Sequence, residues 1–183
     1  MAEKILTGVK HIFFTPWNSE DNGLDTESRL ELKNIIADTV AITQDDPDTS
    51  TIDCETRDEP IIESVTLGKY QVTMDSADID YDILETCMGF SKIGDGTTVA
   101  AAAPTSYVKK YVCVEVEMEK AVFVLPRILL TSKLDASSLK TNVAKGTLSG
   151  SGYSAKCTVD SKTPVDTPFF VMEAGKQFTL AAI

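Results

Sequence analysis

The stretch YVKKYVCVEVEME, residues 107–119, carries the clearest strand pattern in the chain. Along its second half, apolar side chains alternate with the carboxylates of Glu115, Glu117 and Glu119. A period of two is the period of a β-strand, in which successive side chains point to opposite faces. We therefore predict a strand with one apolar face and one wet, acidic face.

A second strand is predicted directly after the first, over residues 122–131. Glu119-Lys120 is the expected hairpin connection between the two. Pro126 lies inside the second strand and cannot donate to a ladder, so this strand is expected at a sheet edge or with a bulge at the proline.

Toward the N-terminus, further stretches have strand character. Residues 51–55 alternate, and residues 63–74 continue the pattern after a loop at Pro60, which predicts two strands of one sheet. Residues 39–43 look extended, whereas the first half of 30–42 fits either a short amphipathic helix or a strand. Pro16 is expected to halt the first strand of the chain.

One short amphipathic helix is predicted after residue 78. Apolar side chains recur at three- to four-residue spacing, at Ile79, Ile83, Leu84, Cys87 and Met88. Ser76 or Asp78 is the candidate N-cap, and Gly89 is the expected end of the helix.

The C-terminal third is again β-like. A turn is expected over residues 132–138, and residues 139–152 read as a polar, two-sided strand of the kind often used between subunits. Strands are also predicted at 169–172 and 178–180. The predicted fold is mainly β (α+β), a β-sandwich or partly closed barrel with one flanking helix and long loops, forming a single domain over residues 1–183 with an extended N-terminal segment.

Composition excludes several classes of protein. The formal net charge is −11, which removes the long-range attraction on which ordinary nucleic-acid binding depends. No apolar run approaches the length of a membrane span, and the N-terminus lacks a signal-peptide pattern, so we expect synthesis in the cytoplasm. The four cysteines are widely spaced, which favours buried, reduced thiols while leaving a disulfide open.

No motif for catalysis is present, so no enzymatic activity and no cofactor are expected. His11 is the only histidine, and its apolar neighbours favour a structural role. The sequence has neither a G-x-S-x-G nucleophile motif nor a glycine-rich phosphate loop.

Two acidic clusters could hold a cation, but each has a simpler explanation. Asp45, Asp46 and Asp48, followed by Asp53 and Glu55, lack the glycine and glutamate spacing of a helix-loop-helix calcium site, which favours a solvated loop. The second cluster surrounds the predicted helix N-terminus, where carboxylates cap free amides and complement the helix dipole. It consists of Asp75, Asp78, Asp80 and Asp82. No metal is expected.

The order of elements from Thr51 to Gly152 resembles that of the tail tube proteins of long-tailed phages and prophages. The resemblance consists of an acidic strand at 51–55, a Pro-containing loop, a strand ending QVTM (71–74), the helix ILETCMGF (83–90) and a final segment KGTLSGSG (145–152). It implies a β-sandwich with a flanking helix that forms hexameric rings, which stack into a tube through which DNA passes.

This resemblance implies roles for particular residues. The carboxylates of Glu115, Glu117 and Glu119 would face a DNA-carrying lumen and repel phosphate weakly. The long loops around 16–28 and 44–62 would contact stacked rings. The candidate subunit-interface residues are Trp17, Asp45, Asp46, Asp48, Lys145 and Ser149. The expected partners are further copies of the chain and other tail proteins in the virion, with no specific DNA binding and no membrane.

Two other classes of function remain open. A surface or carbohydrate-binding β-sandwich would need an export signal, and its cleft would use aromatic platforms. Trp17 is better explained as a packing anchor beside Pro16 than as such a platform. A small enzyme that uses acidic residues would need a clustered, perturbed carboxylate pair in a pocket.

Overall fold

The computed structural model describes residues 8–18, 23–52, 62–77, 80–94, 100–135, 144–160 and 162–181. Within these ranges the regular elements are antiparallel strands, one α-helix and a short 3-10 helix at Thr26–Ser28, so the predicted β-rich α+β class is confirmed. The elements are β1 (Val9–Asn18), β2 (Gly23–Leu24), β3 (Leu30–Glu31), β4 (Ala41–Gln44), β5 (Asp48–Ile52), β6 (Ile62–Thr66), β7 (Tyr70–Ser76), α1 (Tyr81–Met88), β8 (Ser91–Ile93), β9 (Ala100–Ala102), β10 (Tyr111–Met118), β11 (Ala121–Leu130), β12 (Lys133–Asp135), β13 (Lys145–Tyr153), β14 (Ala155–Val159), β15 (Val165–Thr167), β16 (Phe170–Glu173) and β17 (Phe178–Ala181).

Ten strands form one curved sheet with the neighbour order β2-β1-β10-β11-β13-β7-β4. β3, β12 and β16 join this path by pairing with β1, β13 and β11. The hairpin β10–β11 lies at the centre and turns at Glu119-Lys120, which confirms the predicted connection.

A bulge at Pro126 divides β11 into two halves. Val114 pairs with Leu125 and Val112 with Ile128, so β11 has one residue more than β10 between these pairs. The first half of β11 pairs with β16 and the second half with β13. The predicted bulge is confirmed, and the alternative of an edge strand is wrong, because β11 has partners on both sides.

Residues 30–36 connect the two sides of the curved sheet. β3 pairs with β1, where the Leu32 amide also donates to the Ile12 carbonyl at 2.9 Å. Ile35 then forms an isolated bridge with Ser76 of β7. Since these links are few, the sheet curls around its core without closing as a barrel.

Two apolar cores lie on opposite faces of the hairpin β10–β11. The larger is enclosed by the curled sheet and by α1, and its fully buried members include Ile12, Phe14, Val72, Met74, Val112, Val114, Leu125, Ile128 and Leu148. The smaller contains Cys113, Val122, Val124 and Met172, packed against Phe178 and Leu180 of β17. The three-stranded sheet β15-β14-β17 therefore covers the outer face, giving the sandwich-like layering that was predicted.

Several predicted boundaries are wrong. Pro16 does not halt β1: it pairs with Val112, and its carbonyl accepts from the Asp25 amide at 2.8 Å, so the strand tolerates one missing donor. The helical alternative for the first half of 30–42 also fails, since β3 and the bridge at Ile35 are extended. The expected turn at 132–138 contains β12, because Leu134 pairs with β13.

The stretch 63–74 is two strands of different sheets, not one. β6 pairs only with β5 among the described residues, whereas β7 joins the large sheet. The strand is interrupted around Gly68, where an added Cβ would lie 1.7 Å from the Asp45 carbonyl oxygen. Glycine at residue 68 therefore allows the chain after β4 to pass close to the break between β6 and β7, a contact that the local pattern does not show.

The predicted helix is confirmed, with a different N-cap. The Asp80 carboxylate accepts from the amides of Asp82 (2.7 Å) and Ile83 (3.2 Å). Ser76 belongs to β7, and Asp78 lies outside the described residues. Gly89 ends the helix in the left-handed conformation (φ 71°), as predicted.

Replacing Asp80 with alanine is expected to lower the free energy of unfolding by about 1 kcal/mol, because two amides of the first turn lose their acceptor. Asp80→Ser keeps an acceptor and should cost less than half as much. Urea unfolding followed by circular dichroism measures both values. Equal losses in the two variants would contradict the capping role.

Candidate functional site

The three carboxylates of β10 lie in different environments. Glu115 is buried, with 9% of its surface exposed, and Arg29 donates to both of its oxygens at 3.2 and 2.9 Å. Glu117 is half-buried, and Glu119 is exposed at the hairpin turn. The predicted wet, acidic face is therefore wrong at Glu115. A lumen-facing role for Glu117 and Glu119 stays a prediction.

Arg29 neutralises Glu115 from outside the sheet. Its guanidinium lies 3.7 Å from the centre of the Phe13 ring, and Phe13 is directly opposite Glu115 in the ladder between β1 and β10. Burial raises the pKa of the Glu115 carboxyl above its ordinary value, and the charge and hydrogen bonds of Arg29 oppose this rise. The ion pair therefore links Arg29 to β10 in the centre of the sheet.

His11 lies on the same face, with its ring exposed. Its Nδ1 is 2.6 Å from the Glu31 carboxylate, and its ring stacks on Phe13 at 5.9 Å between ring centres. These contacts tie β1 to β3. They give His11 a packing and pairing role, in line with the structural role predicted for it.

The acidic loop, defined here as residues 45–48, comprises the connection between β4 and β5 and the first residue of β5. Asp45, Asp46 and Asp48 are all exposed. The Asp45 carboxylate accepts a hydrogen bond from the side-chain amide of Gln71 at 3.1 Å, and the backbone amide of Asp45 donates to the Lys69 carbonyl at 2.9 Å. The base of the loop is therefore anchored, while the remaining carboxylates extend into solvent. Asp53 and Glu55 lie outside the described residues.

The carboxylates near α1 already have partners. Asp75 accepts from Lys145 at 2.6 Å and from Thr147 at 2.7 Å, and these bonds lower its pKa. Asp82 pairs with Lys92 at 2.5 Å. In the described part of the chain, no group of three or more His, Cys, Asp or Glu side chains is placed to hold a metal ion.

Lys145 and Ser149 lie inside the large sheet. Lys145 is paired with Asp75, and the Ser149 hydroxyl donates to the Thr131 carbonyl at 2.8 Å. β13 has neighbours on both sides, β11 and β12 on one and β7 on the other. The polar side chains that suggested a strand between subunits therefore make their hydrogen bonds and ion pairs largely within one chain. The interface role of Lys145 and Ser149 stays a prediction.

A cavity of about 680 Å³ opens beside Trp17, at the end of β1 and the start of β10. The indole Nε1 donates to the Pro126 carbonyl at 2.9 Å, which makes Trp17 the packing anchor that was expected. The same ring also lines the cavity together with Tyr111 and Arg127. Lys109 and Lys110 complete its basic side. Sequence reasoning missed this site, although Lys109-Lys110 is the only place in the chain where two lysine or arginine residues are adjacent.

The hairpin β5–β6 was also missed as a separate unit. In the described part of the chain its two strands pair with each other and with no other strand. Val65 and Leu67, in and just after β6, are 59% and 75% exposed. The alternation of apolar and polar side chains over residues 64–67 indicates a strand with one face that packs against another surface.

Thiol chemistry is suppressed by burial. Burial raises the pKa of Cys87 to about 12 and that of Cys157 to about 11, and it raises the pKa of Cys113 well above its ordinary value. These three cysteines are free and buried, as predicted, and Cys54 lies outside the described residues.

No described helix is long and apolar enough to cross a membrane.

Comparison with known proteins gives a distant structural likeness. No protein-family model matches the chain, and no curated protein sequence matches it. Among solved structures, a chain of the anti-feeding prophage baseplate, determined by cryo-EM and six-fold symmetrised, is similar over 96% of this chain and 99% of its own length. The TM-score is 0.40 and the sequence identity 9%, values too low to establish a common fold.

Proposed function

We propose that this chain is a structural virion protein that assembles with copies of itself into stacked rings and forms the tube of a phage-type tail. The observation that carries the proposal is the hairpin β5–β6, which has apolar side chains exposed and no partner strand among the described residues. The order of elements resembles that of tail tube proteins, and this resemblance suggests stacked rings as the kind of assembly.

An isolated two-stranded hairpin is only marginally stable in water. β5 and β6 pair over five positions, from Asp48–Thr66 to Ile52–Ile62, and each strand has an open outer edge within the described structure. Exposed strand edges pair with other chains unless they are covered. A neighbouring subunit that covers Val65 and Leu67 would stabilise the hairpin and also protect its open strand edges.

The large sheet offers a geometry for a ring. It ends in β2 on one side and β4 on the other, so the two ends of its strand order are different surfaces. Contacts between unlike surfaces are head-to-tail, and they generate a closed ring when the rotation between subunits closes. A hexamer is the ring size implied by the resemblance to tail tube proteins.

In such a tube, DNA would pass without being bound. The net charge of −11 disfavours adhesion of phosphate, and the carboxylates of Glu117 and Glu119 are available for a lumen surface, whereas Glu115 is neutralised by Arg29. Other tail proteins would contact the ends of the tube, and the assembled protein would be located in the virion tail.

Negative-stain electron microscopy at increasing protein concentration, with light scattering for mass, tests the proposal. Rings or tubes with a central hole are the expected result. A 19.8 kDa particle at every concentration would contradict it.

Val65→Asp is expected to abolish ring formation while leaving the monomer folded. The change replaces an exposed apolar side chain of the hairpin with a charge, and charges at the centre of an interface are strongly disfavoured. Ser64→Asp is the matched control, because Ser64 is also exposed and points to the opposite face of the same strand. Sedimentation velocity measures assembly, and circular dichroism checks the fold. Equal assembly of the two variants would remove the hairpin from the interface.

A further inference from the structure

The cavity beside Trp17 is a basic site in an acidic protein. Lys109, Lys110 and Arg127 line it, and none of the three has an ion-pair partner among the described residues. The two acidic residues in its wall are engaged: Asp25 accepts from the Ser28 hydroxyl at 2.7 Å, and Glu85 pairs with Lys92 at 3.2 Å. Three cations therefore face Asp25 and a Glu85 that is already paired with Lys92, which leaves the wall of the cavity net positive within the described chain.

Arg127 is held in place by aromatic rings and keeps unused hydrogen-bond donors. Its guanidinium lies 4.5 Å from the centre of the Tyr111 ring and 5.6 Å from that of Trp17. Its Nε is buried and has no hydrogen-bond partner in the described structure. A buried donor without an acceptor costs free energy, and a carboxylate is the acceptor whose planar, paired oxygens best match a guanidinium.

The acidic loop, residues 45–48, carries the matching chemistry. Three aspartates lie within four residues, and Asp46 and Asp48 make no side-chain hydrogen bond or ion pair in the described structure. Pro47 restricts the backbone between them, which lowers the entropy lost when the loop is ordered against a partner.

We propose that the cavity beside Trp17 binds the acidic loop of a second copy of this chain. This inference rests on the proposed self-assembly and names the contact that would join neighbouring subunits. Charge complementarity selects the second copy as occupant, because the same chain supplies both an unpaired basic cavity and an exposed acidic loop.

The positions of the two surfaces fit a head-to-tail contact. The acidic loop follows β4 at one end of the strand order, whereas the cavity is lined by the end of β1, the start of β10 and Arg127 of β11, and by no described residue of β4 or β7. Each subunit would then give its loop to one neighbour and receive a loop from the other, which is the arrangement that closes a ring.

The first test is a titration that needs no assembly. Trp17 is the only tryptophan, so its fluorescence reports on the cavity directly. The probe is the synthetic peptide TQDDPDT, residues 43–49, added to the full chain at low salt and at a concentration below that of assembly. We expect a saturable change in Trp17 emission that weakens with added salt. The same peptide with asparagine at its three aspartates should bind about tenfold or more weakly.

The second test is charge reversal in the protein. Lys109→Glu combined with Lys110→Glu is expected to abolish both peptide binding and ring formation. Lys156→Glu combined with Lys162→Glu changes the net charge equally at exposed lysines near the small sheet, and it should leave both unchanged. Mixing the first double variant with Asp46→Lys/Asp48→Lys should restore rings of alternating copies, because each unlike contact regains opposite charges.

The outcomes separate this inference from the proposed function. If K109E/K110E forms rings with normal affinity, the cavity is not the contact between subunits, and the proposed tube function is unaffected. Peptide binding by a chain that never forms rings would count against the tube and still support recognition of the loop. An equal fluorescence response to inorganic phosphate at the same concentration would overturn the assignment to a second copy, since the cavity would then be a general anion site.

Discussion

Replacing Gly150 with alanine is expected to lower the free energy of unfolding by about 3 kcal/mol, although alanine adds a single methyl group. An added Cβ would lie 2.4 Å from Cγ2 of Ile128 and 2.6 Å from the carbonyl oxygen of Leu129. Ile128 is fully buried and β-branched, and a backbone oxygen in a ladder cannot turn aside. Strands β11 and β13 would have to separate at the centre of the sheet.

Gly146→Ala, in the same strand, is the matched control. Its Cβ would come as close as 2.5 Å to another atom, but that atom is the terminal methyl group of Met88. A flexible methionine side chain can move away, so we expect a loss below about 1 kcal/mol. Urea unfolding of both variants measures the difference. Similar losses would show that the distance alone, and not the rigidity of the neighbour, decides the cost.

Arg29→Leu is expected to cost about 2 kcal/mol at neutral pH, because it leaves the Glu115 carboxylate buried without its counter-ion. The value lies below that for a fully buried pair, since the Arg29 side chain is 42% exposed and is partly screened by solvent. Arg29→Leu combined with Glu115→Gln removes the stranded charge and should recover most of the loss. Urea unfolding of wild type, single and double variants forms the complete cycle.

The cost of Arg29→Leu is expected to depend on pH in a defined direction. Burial raises the pKa of Glu115 in the folded protein, and loss of Arg29 raises it further. Above the unfolded pKa the folded state then holds more protons than the unfolded state, so stability falls as pH rises through the folded value. The gap between variant and wild type should therefore widen as the pH rises from the folded pKa of the wild type toward the higher folded pKa of the variant, both of which lie above the unfolded value of about 4.3. A gap independent of pH would show that Arg29 acts through packing on Phe13 alone.

Local patterns were sufficient for most of the individual elements. The strand predicted over 107–119 is present at 111–118, and the helical spacing from Ile83 to Cys87, Gly89 as the helix end and the bulge at Pro126 are also present in the structure. Each of these depends on side-chain periodicity or on a backbone restriction of one residue, which short-range sequence contains.

The environment of charged side chains could not be predicted in the same way. Glu115 was expected on a wet face because its neighbours in sequence alternate, but Arg29, 86 residues away, covers it. The cavity beside Trp17 is likewise assembled from β1, α1 and residues 108–111. No local window contains these distances, so neither the buried pair nor the basic cavity has a signature in the sequence alone.

The amino-acid sequence by itself determined that this protein is acidic, β-rich and built on a central hairpin, because charge and periodicity are properties of the chain. Only the tertiary structure decided which carboxylates are neutralised, that 63–74 divides between two sheets and that the hairpin β5–β6 pairs with no other described strand and exposes Val65. The physical reason is that burial and pairing depend on residues brought together across the sheet, and the free energy of a charge or an apolar group is set by those neighbours.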